Sequence, residues 1–214
     1  MKRYIAVNRN AYNVLAEEYD SRWKKYLKSS YPKLVLRPFE NELRKNFKKS
    51  IRVLDVGCGA GLDSYIFSLH RFAVWGIDIS PVMVAYAKKN SPRATIESGN
   101  FLHKKFSRRF HGIVMNASFH LFPKKDSHNV INRIKKLLCK GGLTLISTTA
   151  ADVSKEGYFL KKDYRISVKR FRKFWRPEEL IRVFTNNGFE LLKSYGDKDP
   201  IVKKRWKNFI FRKI

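Results

Sequence analysis

Apolar residues recur every three or four positions through the first part of the chain. Tyr12, Leu15, Ala16, Tyr19, Trp23, Tyr26 and Leu27 share one face, which predicts an amphipathic helix over residues 8–28. Pro32 opens a second helix that carries Leu36, Phe39, Leu43 and Phe47 on one side. From residue 51 the pattern changes to short apolar runs separated by helical stretches. Residues 51–56, 72–77, 94–97, 110–115 and 143–149 read as strands, and 62–70, 80–89 and 126–140 as helices. Ser80 and Pro81 form an N-cap and first-turn pair for the middle helix. Val130, Ile134, Leu137 and Leu138 face inward from the last, which Gly141 and Gly142 stop. Strands alternating with helices predict an α/β fold built on a parallel sheet.

Beyond residue 149 the periodicity lapses. Residues 151–175 carry Tyr158, Phe159, Tyr164, Phe171, Phe174 and Trp175, interleaved with eight Lys or Arg between Lys161 and Arg176. Two readings stand: a lid whose aromatics close a pocket while its cations face water, or a surface where bases stack and cations meet phosphates. Regular structure resumes at Pro177 with Leu180, Ile181 and Phe184 inward and Gly188 as the stop. Strands over 189–195 and 206–211, separated by the turn GDKDP, follow it.

The chemistry concentrates in IRVLDVGCGAG, residues 51–61. Gly57, Gly59 and Gly61 follow a buried strand at every second position, where side chains would obstruct a sharp bend or a bound ligand. The helix after them offers free N–H groups, so the loop reads as a small-molecule cradle. A dinucleotide loop is G-x-G-x-x-G; here the spacing is G-x-G-x-G, and Asp55 would repel a pyrophosphate. That carboxylate suits a ligand with a cationic head, such as the ammonium of S-adenosylmethionine. Asp78 ends the next strand 23 residues later, where an acid accepts hydrogen bonds from both ribose hydroxyls.

VLDVGCGAG followed by GIDIS resembles motif I and the post-I motif of class I S-adenosylmethionine-dependent methyltransferases, in particular the small single-domain enzymes of the type 11/25 kind. The resemblance implies a Rossmann-like seven-stranded sheet with helices on both faces and a C-terminal antiparallel hairpin. It also implies one domain over 1–214: a helical cap over 1–50, a cofactor-binding half over 51–150, a substrate-side lid over 151–176, and a closing helix and hairpin over 177–214. AYNVLAEEYD resembles the family's Y-x-x-x-A-x-x-Y-D cap helix, which places Tyr19 and Arg22 at the site. Core packing for Tyr19 and a solvated face for Arg22 are the alternatives. On the same grounds S-adenosylmethionine is expected against Asp55, Gly57, Cys58, Gly59, Gly61, Asp78, Ile79, Met83, Asn100, Phe101 and Asn116.

Two positions depart from the family pattern. Asn100 stands where Asp is usual, and its carbonyl still suits the adenine amine, with Phe101 on the ring face. Arg71 stands where the turn before the second strand usually has Gly. FHGIVMNASFHLFPKKD resembles motif IV, and within it His120 is the candidate general base or orienting group, set against an ordinary structural histidine.

Composition adds bounds. The 214 residues, 43% of them apolar, permit one sizeable domain. No amino-terminal apolar segment and no run of eighteen apolar residues appear, so the chain reads as cytoplasmic, with no membrane span. Cys58 and Cys139 make neither a disulfide framework nor a metal-ligand spacing, and no motif for covalent or zinc chemistry occurs. Against 46 Lys and Arg stand 18 Asp and Glu, a net charge of +28. Such a field favours polyanions, or reflects a surface that is basic throughout. The expected activity is methyl transfer to a small-molecule acceptor; the alternatives are transfer to tRNA or other RNA, and a non-catalytic cofactor- or partner-binding protein.

Overall fold

Five parallel strands form the centre of the protein: β1 (Arg52–Val56), β2 (Ala73–Asp78), β3 (Thr95–Ser98), β4 (Phe110–Asn116) and β5 (Leu138–Thr149). Two further strands, β6 (Lys155–Lys161) and β7 (Val168–Phe174), pair only with each other, and β8 (Phe189–Lys198) and β9 (Arg205–Lys213) close the main sheet. The seven-stranded order is β3-β2-β1-β4-β5-β9-β8, with β9 antiparallel to both β5 and β8. Among the described residues, six α-helices accompany them: α1 (Arg3–Leu27), α2 (Arg37–Asn46), α3 (Leu62–Leu69), α4 (Pro81–Asn90), α5 (Ser127–Leu137) and α6 (Pro177–Thr185). This computed structural model describes residues 2–202 and 204–214, the side chain of Asp197 excepted.

The near-continuous apolar runs of the strands follow from burial on both faces. Val53, Val74, Val114, Leu145 and Ile210 point to one side, where Phe39 and Leu43 of α2 and Ile66 and Phe67 of α3 cover them. Their neighbours Leu54, Ile113, Met115, Ile146, Phe209 and Phe211 point to the other, against Val130 and Ile134 of α5 and Leu180 and Phe184 of α6. The two-residue strand period thus divides one apolar run between two cores.

Several boundaries differ from the sequence expectation. The first helix begins at Arg3, five residues before the expected Asn8, because Tyr4 and Ile5 are buried against Phe171 and Phe122. The second starts with a wide π turn, Pro32–Leu36, in which the Arg37 N–H reaches back to Pro32 O. Pro38, which has no N–H, follows directly. The helix expected to run to Lys140 stops at Leu137; Leu138 already pairs with Phe110, and Gly141, at φ +66°, lies within β5 instead of capping the helix. Residues 151–175, which showed no period, contain the β6–β7 hairpin. The closing hairpin extends three residues beyond its expected end on β8, to Lys198.

Arg71, which stands where the resemblance implies Gly, adopts φ +63°, the left-handed conformation that glycine adopts at least cost. A non-glycine residue there costs about 1–2 kcal/mol, against about 0.5–1 kcal/mol of extra chain entropy for glycine. Arg71→Gly should therefore stabilise the protein by about 0.5 kcal/mol. Urea unfolding checks this, and a loss of stability would mean that the arginine side chain holds something the turn needs.

Candidate active site

The glycine loop and the turn after β4 meet edge to edge. Gly57 sits at φ +76°, and a Cβ there would lie 2.5 Å from the Cβ of Ser118. Ser118 Oγ donates to Val56 O at 2.5 Å, tying the end of β1 to the segment after β4. Ala117, between Asn116 and Ser118, takes φ +57°, so the second turn is strained where it touches the first. Gly59, also left-handed, faces open space with nothing within 4 Å of an added Cβ. Gly61 behaves differently: it lines neither cavity, and its Cβ position lies 2.9 Å from Ala87 Cα. Expected as a cofactor contact, it instead lets α3 approach α4 closely.

Asp78 fixes the loop from the other side. Its Oδ2 accepts the Gly59 N–H at 2.9 Å and its Oδ1 the Ser80 N–H at 2.8 Å. Burial nevertheless raises its pKa. The Ile79 N–H also bonds this carboxylate, which leaves it acceptor capacity for a hydroxyl of a ligand. Asp78, Ile79, Met83, Asn100 and Phe101 line a cavity of about 130 Å³ on this side of the loop. Asn100 Oδ1 accepts the Leu102 N–H at 3.0 Å, which leaves that carbonyl one free lone pair.

A second cavity, of about 190 Å³, lies on the other side of Gly57 and Gly59. Tyr12, Tyr19, Asn116 and Ala117 line both, so the two adjoin at the strand ends. Asp55, Cys58, Asp63 and His120 line the second alone. Asp55 accepts a bond from Ser64 Oγ at 2.7 Å. Asp63 accepts from Tyr31 OH at 2.5 Å and from Asn116 Nδ2 at 2.9 Å, and Asn116 also reaches Tyr31. Neither carboxylate forms an ion pair among the described residues. Burial, then the neighbouring Asp63 charge, pushes Asp55 well above the usual carboxylate range; burial raises Asp63 too, opposed by its bonds from Tyr31 and Asn116. Burial also drives the Cys58 thiol up. Two buried acids with no cation among the described residues form a set of acceptors that an ammonium group would satisfy.

His120 is 1% exposed, with Nδ1 3.2 Å from Thr148 Oγ1. Burial holds its pKa well below 6.5, and the charges of Arg172, Arg170, Lys161 and Lys204 push it lower still. The imidazole is therefore neutral at pH 7. Tyr19 stacks on Tyr164 with ring centroids 5.0 Å apart, and Arg22 donates to Asp163 O while lying over the Tyr164 ring. Both line the cavity.

Sequence reasoning missed Tyr31, which has no motif around it, and Asp63, which stands just two residues beyond the glycine motif. It read the lid only in part: Lys162, Arg165, Lys169 and Arg176 face water and Tyr164 lines the cavity, but Lys161, Arg170, Arg172 and Lys173 are buried, as are Phe171 and Trp175. Strand alternation in VKRFRKF was the available signal, hidden because its inward positions are charged.

A parallel sheet that ends in an antiparallel pair, with a glycine loop after its first strand and an acid after its second, defines the class I methyltransferase fold. The chain belongs to the methyltransferase domain family, whose profile matches residues 23–194, and the protein is a methyltransferase. A ubiquinone biosynthesis O-methyltransferase of Pelagibacter ubique is 27% identical over 92% of this chain and 89% of its own length. A malonyl-[acyl-carrier protein] O-methyltransferase of Ilyobacter polytropus is 28% identical over 73% of this chain and 59% of its own. Among solved structures, an amino pentose methyltransferase of Micromonospora echinaspora with S-adenosylmethionine bound superposes with a TM-score of 0.69 at 15% identity, over 92% of this chain and 97% of its own. The 1,6-didemethyltoxoflavin N1-methyltransferase of Burkholderia thailandensis, bound to S-adenosylhomocysteine, gives 0.65 at 20% identity over 94% and 87%.

The paired acids give the ligand-free protein a testable pH signature. A carboxyl whose folded pKa lies above its unfolded value near 3.8 binds more protons when folded, so its contribution falls as pH rises from there and levels off above the folded pKa. Asp55→Asn should gain stability relative to the parent protein as pH rises from about 4, reaching a plateau. The difference between their urea-unfolding curves isolates this effect from Lys161, whose pKa, lowered to about 7 mainly by burial, acts in the opposite direction above that pH. A flat difference would mean that Asp55 carries no penalty.

Proposed function

We propose that the protein transfers a methyl group from S-adenosylmethionine to a small-molecule acceptor. The observation that carries this reading is the pair of adjoining cavities. One is lined by an acid and groups suited to an adenosine, the other by two uncompensated carboxylates at the loop and a separate polar lobe beneath the lid. When bound, S-adenosylmethionine supplies a methyl carbon already activated by a sulfonium, so no protein nucleophile is needed.

The work left to this chain is holding and orienting. Asp55 and Asp63 receive the ammonium group, with Gly57, Cys58 and Gly59 forming the wall beside it. Asp78 accepts the ribose hydroxyls while its N–H bonds keep the loop closed. The free lone pair of Asn100 and the ring of Phe101 take the adenine, and Ile79 and Met83 supply apolar surface. Tyr19 and Asn116 stand where the two cavities adjoin. His120, neutral and reluctant to take a proton, orients the acceptor by hydrogen bond and accepts its proton as the charge around it is compensated.

The ubiquinone, amino pentose and toxoflavin enzymes support a small acceptor, whereas the malonyl enzyme's acceptor is carried on a protein; both relatives by sequence are O-methyltransferases. The relatives do not point to RNA, and half of the lid's cations, Lys161, Arg170, Arg172 and Lys173, are buried.

Incubating the protein with methyl-labelled cofactor and fractionated cell extract tests the acceptor class. Label is expected in the small-molecule fraction; label confined to RNA would replace this reading with the alternative. Asp78→Ala should weaken S-adenosylhomocysteine binding by about 1–3 kcal/mol, through unpaired ribose hydroxyls and a loosened loop. Calorimetry reads that change, and unaltered affinity would place the ribose elsewhere.

A further inference from the structure

The lid holds charges that methyl transfer by itself does not use. Arg170 and Arg172 stand two residues apart in β7, so the pleat aims both the same way. Lys161 pairs across the hairpin with Val168, and this register puts it on the same face. All three line the larger cavity, and they are 6%, 6% and 8% exposed for Lys161, Arg170 and Arg172. Lys204, from the closing hairpin, joins them.

The acids nearby do not balance these cations. Asp163 is shared by Lys161, at 2.8 Å, and Lys204, at 2.5 Å. Asp199 is bound by Tyr26 OH at 3.1 Å and by Trp206 Nε1 at 3.0 Å. Arg170 and Arg172 form no salt bridge among the described residues. Arg170 Nη1 donates to Tyr12 OH at 2.6 Å, and Arg172 Nη2 donates to Thr149 Oγ1. Arg172 Nε is buried with no acceptor among the described residues. A buried guanidinium with an unmet donor and no counter-charge is costly, and an entering anion relieves both deficits.

We propose that the methyl acceptor carries an oxyanion, a carboxylate or a phosphate group, and that Arg170 and Arg172 receive it. This rests on the reading of the larger cavity as the acceptor's. The guanidinium fork presents parallel N–H donors matched to two oxygens of one such group, and the open Nε of Arg172 is a donor of that fork. Acids at the loop and cations under the lid give the cavity opposite charges along its length. An acceptor anchored by its anion at the lid is thereby oriented with its remaining part toward Asn116 and His120.

The test uses full-length protein saturated with S-adenosylhomocysteine and titrated separately with benzoate, phenyl phosphate and neutral benzamide, following the arginine Nε–Hε NMR signals. At least one anion should bind about tenfold or more tightly than benzamide. The tighter of the two identifies carboxylate or phosphate as the group. Arg172→Gln and Arg170→Gln should each weaken that anion by about tenfold, with Arg172→Lys recovering part of the loss. The heat of S-adenosylhomocysteine binding should persist in every variant, which also reports that each is folded. Equal binding of benzamide and the anions, full anion affinity in both glutamine variants, or no saturation by either anion would overturn the proposal. Absence of S-adenosylhomocysteine binding in the parent protein would instead strike the cofactor reading.

Discussion

Gly57 has no side chain, and Ser118 occupies the space where one would be. That single close approach, locked by the Ser118 bond to Val56 O, brings the ends of β1 and β4 into register at the carboxyl edge of the sheet. Everything the site needs follows from it. Asp55 enters the cavity from the strand before the loop, Asp63 from the helix after it, and Asn116 from the facing turn. An open α/β sheet collects ligands at this edge because the loops there diverge while the strands beneath stay rigid.

Electrostatics then divides the space. Two acids with raised pKa values sit by the loop, and three nearly buried cations sit under the lid. Each set is unfavourable by itself, since burial removes water without supplying a partner. The net charge of +28 is a poor guide to this arrangement. Most of that charge is spread over the exterior, whereas the few cations that line the larger cavity are inside, where they also push the pKa of His120 down.

Much of the fold was legible in the residues. Short apolar runs between amphipathic stretches marked the five central strands, and the closing hairpin was readable from its turn. The left-handed glycines announced themselves by spacing, and Arg71 betrayed a strained turn by standing where glycine is usual. The lid was not legible, because pattern reading equates charge with solvent. In β7 that equation fails: Arg170 and Arg172 are aimed into a cavity, and the strand looks featureless as a result.

By itself the sequence determined the sheet, the glycine loop and the two acids Asp55 and Asp78, because strand periodicity and backbone freedom are local properties of consecutive residues. Only the tertiary structure decided that Tyr31, Asp63 and Asn116 form one hydrogen-bonded group, although 32 positions separate the first pair and 53 the second. It also decided that Gly61 lets two helices approach, and that Lys161, Arg170 and Arg172 of the lid face the larger cavity. These depend on which surfaces meet across the sheet edge. Long-range burial and charge compensation set that meeting, and neither leaves a short-range signature in the chain.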